Sequence, residues 1–107
     1  MDGKKRFDLI YSPQVKMHLK TIERKYHSLI RHTIENQLTY HPEVETKNKK
    51  PLKRTVEPGA EWETRFGPDN RFRVYYEVDH ENGQVFILAI GIKKGSRLMI
   101  GKEQITL

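Results

Sequence analysis

Hydrophobic and polar residues alternate without a break over positions 71–78. Phe72, Val74, Tyr76 and Val78 hold one parity; Arg71, Arg73, Tyr75 and Glu77 hold the other. Successive side chains of a strand point to opposite faces, so this pattern predicts a strand with one face on a core and one toward solvent. Flanking runs at 62–66 and 84–92 complete a three-strand unit. Gly67-Pro68-Asp69-Asn70 supplies the first turn. Asn82-Gly83 supplies the second, because that pair tolerates the positive φ a tight hairpin needs. Val85 to Ile92 is apolar at both parities, which predicts a central strand covered on both faces.

The N-terminal part has a different period. Phe7 to Tyr11 is a short run of strand formers. Ser12-Pro13 then reads as a helix start, serine at the N-cap and proline at the first helical position. Val15, Leu19 and Ile22 form one stripe at helical spacing, and Ile30, Ile34 and Leu38 form a second. The polar stretch between them predicts a helical hairpin turning near residues 23–27, and His41-Pro42 ends the helical part. Residues 43–61 read as a loop, with Pro51-Leu52 against the core. The tail from Lys93 to Leu107 carries Leu98, Met99 and Ile100 between two glycines, and its pattern assigns no element. The expected order is β-α-α-β-β-β. This is an α+β class, a helical hairpin on one face of a small, mostly antiparallel sheet, in a single domain over residues 1–107.

Length and composition narrow the class. A chain of 107 residues buries roughly 60–70% of its unfolded surface and folds without staples. It has no cysteine, so a thiolate site is excluded. No apolar run approaches the roughly 20 residues that span a bilayer, and no signal-peptide core opens the chain, so the cytoplasm is the expected location. The net charge of +6 comes wholly from residues 1–55, where Lys47, Lys49, Lys50, Lys53 and Arg54 cluster. Such a cluster is either a solvated loop or a phosphate-contacting edge. Together with arginines on a sheet face, it makes RNA, DNA or an acidic protein the first ligands to weigh. Lys49, Lys50, Lys53, Arg54 and Arg71 are the candidate RNA-binding residues. The five histidines show no metal-binding spacing, and no metal or other cofactor is expected.

Four segments in order resemble the RelE/ParE toxin superfamily of type II toxin–antitoxin systems. Tyr11-Ser12-Pro13 enters a helical hairpin. Lys50-Pro51-Leu52-Lys53 precedes the sheet. Trp62 to Phe66 and then Arg73-Val74-Tyr75-Tyr76-Glu77-Val78 match the superfamily's strand pattern. Leu88-Ala89-Ile90-Gly91-Ile92-Lys93 matches its last strand, ending in a basic residue.

The resemblance implies a RelE-like fold and two possible activities. RelE-like members cut mRNA on the ribosome and inhibit translation. The ribose 2′-OH attacks the adjacent phosphate, with a base, an acid and phosphate-holding cations assisting. On that pattern Arg73, Arg65 and Lys93 are the phosphate-holding candidates of an endoribonuclease. Glu63 stands where the pattern has a second basic residue, and as a carboxylate is the candidate base. Leu98-Met99-Ile100 stands where the pattern offers a tyrosine, which leaves the acid unassigned. ParE-like members inhibit DNA gyrase and need no such constellation. A toxin-fold protein that only binds its antitoxin, and a basic RNA-binding domain unrelated to toxins, also remain open. The expected partners are an acidic antitoxin, the ribosome and mRNA, without a membrane. Oligomeric state is not legible.

Overall fold

Strand β5, Gln84–Lys94, is the longest element and the centre of the molecule. The computed structural model describes residues 5–54 and 59–105. Seven strands form one sheet. They are β1 (Asp8–Tyr11), β2 (Lys49–Pro51), β3 (Trp62–Phe66), β4 (Phe72–Asp79), β5, β6 (Arg97–Ile100) and β7 (Glu103–Ile105). The spatial order is β2-β3-β4-β5-β6-β7, and β1 pairs with β5. All neighbours are antiparallel except β1 and β5. Helices α1 (Gln14–Lys20) and α2 (His27–Leu38) complete the chain, with a 3-10 turn at Arg24–Tyr26 between them.

The expected α+β architecture is the observed one. The helical stripes bury as the period predicts. Val15, Ile22, Ile30, Ile34 and Leu38 join Phe72, Val74, Tyr76, Val85, Ile87 and Ile90 in one core. Pro13 is helical at φ −55°, ψ −36°, but no side chain caps α1, so the expected Ser12 cap bond is not made. The Ser12 carbonyl instead accepts the Val15 N–H at 3.0 Å. His27 joins the two helices. Its Nε2 lies 2.9 Å from both the Leu19 and Ile22 carbonyls, tying the start of α2 to the end of α1.

Three strands were not anticipated. β2 falls inside the expected loop, and β6–β7 make a hairpin of the tail. Each is three or four residues long, too short for alternation to register. Pro51 sits on the edge strand, where its missing N–H costs no ladder bond.

The second difference is the face expected to meet solvent. Tyr75 is 0% exposed and Arg73 6%. Ala60, Tyr75, Ala89, Leu98 and Ile100 form a second apolar cluster there, with Leu52, Leu88 and Ile105 packed against it. Leu52 and Ala60 come from the connection between β2 and β3. The β6–β7 hairpin supplies Leu98, Ile100 and Ile105.

A β-bulge connects the two faces. Tyr75 pairs with Ala89 and Tyr76 with Ile87, so β5 carries one extra residue, Leu88, at that point. Period-2 alternation therefore breaks at Leu88. Val85 and Ile87 point to the helices before it, Ile90 and Ile92 after it. Ala89, Gly91 and Lys93 take the other face. The apolar run at both parities thus has two causes, a covered second face and a shift of parity.

One edge of β5 is shared. β1 pairs with Gln84–Ile87 and β6 with Gly91–Lys94. Between them, Leu88 and Ile90 have no strand partner on that side. Two residues one turn apart on α1 fill the gap. Gln14 Nε2 donates to the Leu88 carbonyl at 3.0 Å, and the Ile90 N–H donates to His18 Nδ1 at 3.2 Å. A buried N–H without an acceptor costs about 1–3 kcal/mol. His18→Ala should therefore lower unfolding free energy by about that amount, and His18→Asn should recover part of it. Chemical denaturation of the two variants measures both, and equal stability of all three proteins would exclude this role.

Candidate functional site

Cross-strand register arranges the second face in rows. Lys50 of β2 lies opposite Glu63 of β3, and Glu63 opposite Tyr75 of β4. In the next row Arg65 lies opposite Arg73, and Arg73 opposite Gly91 of β5. The backbone N–H of Lys93 donates to the Arg71 carbonyl at 2.7 Å, which extends the ladder to a third row. Rows two residues apart along a strand are ~7 Å apart. Arg65, Arg71, Arg73, Lys50 and Lys93 therefore share one face, with the Glu63 carboxylate between the two central arginines.

Glu63 is held between the arginines. Arg65 Nε donates to its Oε1 at 2.7 Å, and Arg73 Nη1 lies 3.7 Å from its Oε2. The Glu63 and Arg73 side chains are 8% and 7% exposed, while Arg65 reaches solvent at 36%. Arg73 Nε also donates to the Asn70 carbonyl at 3.1 Å. Asp69 and Asn70, at φ 56° and 52°, take the left-handed conformation that turns that carbonyl toward β4. Burial and the Arg65 charge pull the Arg73 pKa down, and Glu63 opposes them. Beside this pair, burial and then the Glu63 charge push the Tyr75 phenol up.

Two hollows flank the group. A cleft of about 610 Å³ is lined by Arg71, Arg73, Lys93 and Lys94 on the sheet side and by Glu23 and Tyr26 on the helical side. A second, of about 560 Å³, is lined by Lys50, Lys53, Glu45, Glu63 and Arg65. Among the described residues no ion pair involves Lys50, Lys53, Arg54, Lys93 or Lys94. Arg71 is partly engaged, its Nη2 3.9 Å from Asp69 Oδ2.

The structure thus brings Arg65, Arg73, Lys93, Glu63, Arg71, Lys50 and Lys53 to one surface, with Arg54 exposed just beyond. Lys49 is the exception and corrects the expectation that it meets RNA. It pairs with Thr64, on the helical side of the sheet, and is 3% exposed. Its ammonium donates to the Gln37 and His41 carbonyls at 3.0 and 2.6 Å, closing the C-terminal end of α2 where positive charge is favoured. Burial lowers its pKa. Parity decides the matter: with Lys50 on the Glu63 side, its neighbour must take the other. Tyr26 and Lys94 were missed as cleft residues. Lys94 was readable as the neighbour of Lys93, but nothing local marks Tyr26, which the hairpin turn brings from far away in sequence.

The C-terminal segment supplies no phenol. Leu98 is 1% exposed in the second apolar cluster, and Met99 is opposite Ile92. Among the described residues there is no group of three His, Cys, Asp or Glu able to hold a metal ion. No described helix is long and apolar enough to cross a membrane.

No family model and no curated protein matches the sequence. Among solved structures the chain is similar to one from the toxin–antitoxin complex RelBE2 of Mycobacterium tuberculosis. The superposition has a TM-score of 0.66 at 19% identity and covers 82% of this chain and 92% of the other. The chain has the RelE-like toxin fold. At that identity the likeness fixes architecture and not chemistry. Within the RelE-like fold, this chain's own residues give the face a buried carboxylate clasped by two arginines.

The split between Lys49 and its neighbours is testable. Lys49→Ala should cost about 1.5–3 kcal/mol of stability, the scale of hydrogen bonds to a charged group, and, if the face binds RNA, leave that affinity of the folded protein unchanged. Lys50→Glu with Lys53→Glu should do the reverse, which denaturation and filter binding together will read. A Lys49 variant that is stable but weak in binding would return Lys49 to the surface site.

Proposed function

We propose that this protein is the toxin of a type II toxin–antitoxin pair and acts as an endoribonuclease on mRNA at the ribosome. The observation that carries the reading is the row of guanidiniums, Arg65 and Arg73, backed by Arg71 and Lys93, on one face of a RelE-like sheet. A planar guanidinium grips a phosphate through two parallel N–H donors. In this reading Arg73, Arg65 and Lys93 hold the scissile phosphate and stabilise the charge that builds as the 2′-OH attacks. Glu63 is the base that takes the 2′-OH proton. Lys50, Lys53 and Arg54 contact ribosomal RNA. An acidic antitoxin covers the face when the toxin is silent, and charge complementarity with the +6 chain speeds its arrival.

A second reading, a gyrase-inhibiting or binding-only toxin, draws on one observation. The place of the expected tyrosine is taken by Leu98, which is buried, so the C-terminal segment supplies no phenol to protonate the leaving 5′-oxygen.

Induced expression tests the choice. Arg73→Ala should relieve growth arrest while the protein remains folded, with cleavage slowed on the order of 10²–10³. Glu63→Gln should lose cleavage and keep ribosome binding. Pulse labelling should show protein synthesis stopping before DNA synthesis. DNA synthesis stopping first would select the gyrase reading, and full toxicity of a folded Arg73→Ala protein would remove the phosphate assignment.

A further inference from the structure

Tyr75 carries a buried hydroxyl that no partner meets at hydrogen-bond geometry. Its side chain is 0% exposed, and its hydroxyl is the buried side-chain oxygen without a hydrogen-bond partner among the described residues. Burying an unpaired hydroxyl is unfavourable, and phenylalanine would fill the same space without it. The hydroxyl lies in the row of Glu63, directly across the β3–β4 ladder, and that carboxylate is the largest electrostatic influence on it after burial itself. Glu63 is already engaged by Arg65 and Arg73, so the carboxylate sits beside the phenol without completing a hydrogen bond to it.

Phosphate binding changes this balance. A phosphodiester held by Arg65 and Arg73 draws both guanidiniums from Glu63. The carboxylate is then buried, stripped of its partners and next to a second anion. The other charged groups around it are few. Lys50 faces it from β2, and Lys53 and Glu45 rim the same hollow. The Tyr75 hydroxyl is the neutral donor beside it.

We propose, on the reading that Arg65 and Arg73 hold a phosphodiester, that Tyr75 is a positioning residue which receives the Glu63 carboxylate when phosphate takes the two arginines. The phenol O–H then donates to a carboxylate oxygen. A hydroxyl whose contact with Glu63 is incomplete in the free protein makes a full hydrogen bond in the loaded one, so the buried group favours the loaded state. The same bond keeps Glu63 ionised and fixed beside the attacking ribose. The unpaired hydroxyl and the clasped carboxylate are two halves of one exchange.

The test measures binding of a short single-stranded RNA bearing 2′-O-methyl groups, which cannot be cleaved, to the full chain across pH. Tyr75→Phe should bind about 10–100-fold more weakly at neutral pH, the range of one hydrogen bond to a charged group. Its melting temperature should be unchanged or raised. Without the phenol, the released carboxylate is relieved by taking up a proton. Affinity of Tyr75→Phe should therefore climb as pH falls, by up to about tenfold per unit, while the wild-type protein changes less. In a Glu63→Gln background the Tyr75→Phe change should have no further effect and no added pH dependence. A merely structural tyrosine would act equally in both backgrounds, and that result overturns the proposal.

Arg73→Ala separates the two levels of argument. Unaltered RNA binding by this variant means the arginine reading itself fails. Weak binding by Arg73→Ala with wild-type binding by Tyr75→Phe rejects the exchange alone. Should Tyr75→Phe not fold, nuclear magnetic resonance of the wild-type chain reads the same event. The Tyr75 hydroxyl proton should become slow to exchange and move downfield on RNA addition, and an unshifted resonance in the saturated complex counts against the exchange.

Discussion

One additional residue in β5 determines which side chains share a face. Leu88 is passed over in the β4–β5 register, and everything C-terminal to it changes parity. A strand of strict alternation would put Lys93 on the side of Val85 and Ile87, against the helices. An ammonium there would be buried in the apolar core, at a cost that core contacts could not offset. The bulge instead places Lys93 with Arg71 and Arg73, and Gly91 opposite Arg73. It also leaves Leu88 and Ile90 unpaired on the far edge of β5, at the point where β1 has ended and β6 has not begun. Gln14 and His18 of α1 fill that gap. The helix is thereby anchored to the place where the sheet changes parity. Packing of α1 and composition of the basic face follow from the same residue.

The face so made is neither an open solvent surface nor a second full core. Its floor is apolar, with Tyr75, Ala89, Leu98 and Ile100 at 6% exposure or less, and its charged residues stand in or around that floor. Low local polarity strengthens each interaction within it. A lone buried Arg73 or Glu63 would be strongly unfavourable, and their proximity is what makes either tolerable. Gly91 belongs to the same arrangement. A Cβ there would lie 3.0 Å from the Met99 carbonyl oxygen and 3.1 Å from Leu98 and Ile100 side-chain atoms. A side chain at that position would press the β6–β7 hairpin back by a few tenths of an ångström from its place over the floor.

Much of this was readable from the sequence where a period runs long enough. Eight residues of β4 alternate cleanly, and both helical stripes bury as their spacing requires. What was illegible shares one physical cause: it depends on partners distant in the chain. A three-residue strand such as Lys49–Pro51 has no period, and exists because β3 is beside it. The opposite fates of Lys49 and Lys50 follow from that pairing and from no property of either lysine. Tyr75 alternates like a solvent-facing residue, and only the returning C-terminal hairpin, with Ala60 and Leu52, buries it. The placement of Arg65, Arg73 and Glu63 on one face was accessible from parity; the clasp between them needed the β3–β4 register.

That clasp separates two tasks usually given to one basic patch. Arg65, Arg73 and Glu63 together carry one positive charge, so the pair adds less to the field felt by a distant polyanion than two free guanidiniums would. Lys50, Lys53, Arg54, Lys93 and Lys94 have no ion pair among the described residues and project the surplus charge of the chain. Long-range attraction falls with ionic strength, because exposed charges are screened over about 8–10 Å at moderate salt. Contacts within a low-polarity floor are screened far less. On the proposed reading, association with RNA or with an acidic antitoxin is then set by the lysines and is salt-sensitive. Retention is set by the arginines once Glu63 yields, and is less so. A chain with all its cations equally exposed would bind any polyanion it met. Holding the two most precise donors against an internal carboxylate makes release of that carboxylate a condition of tight binding, so a phosphate must arrive in register before the strongest contacts become available.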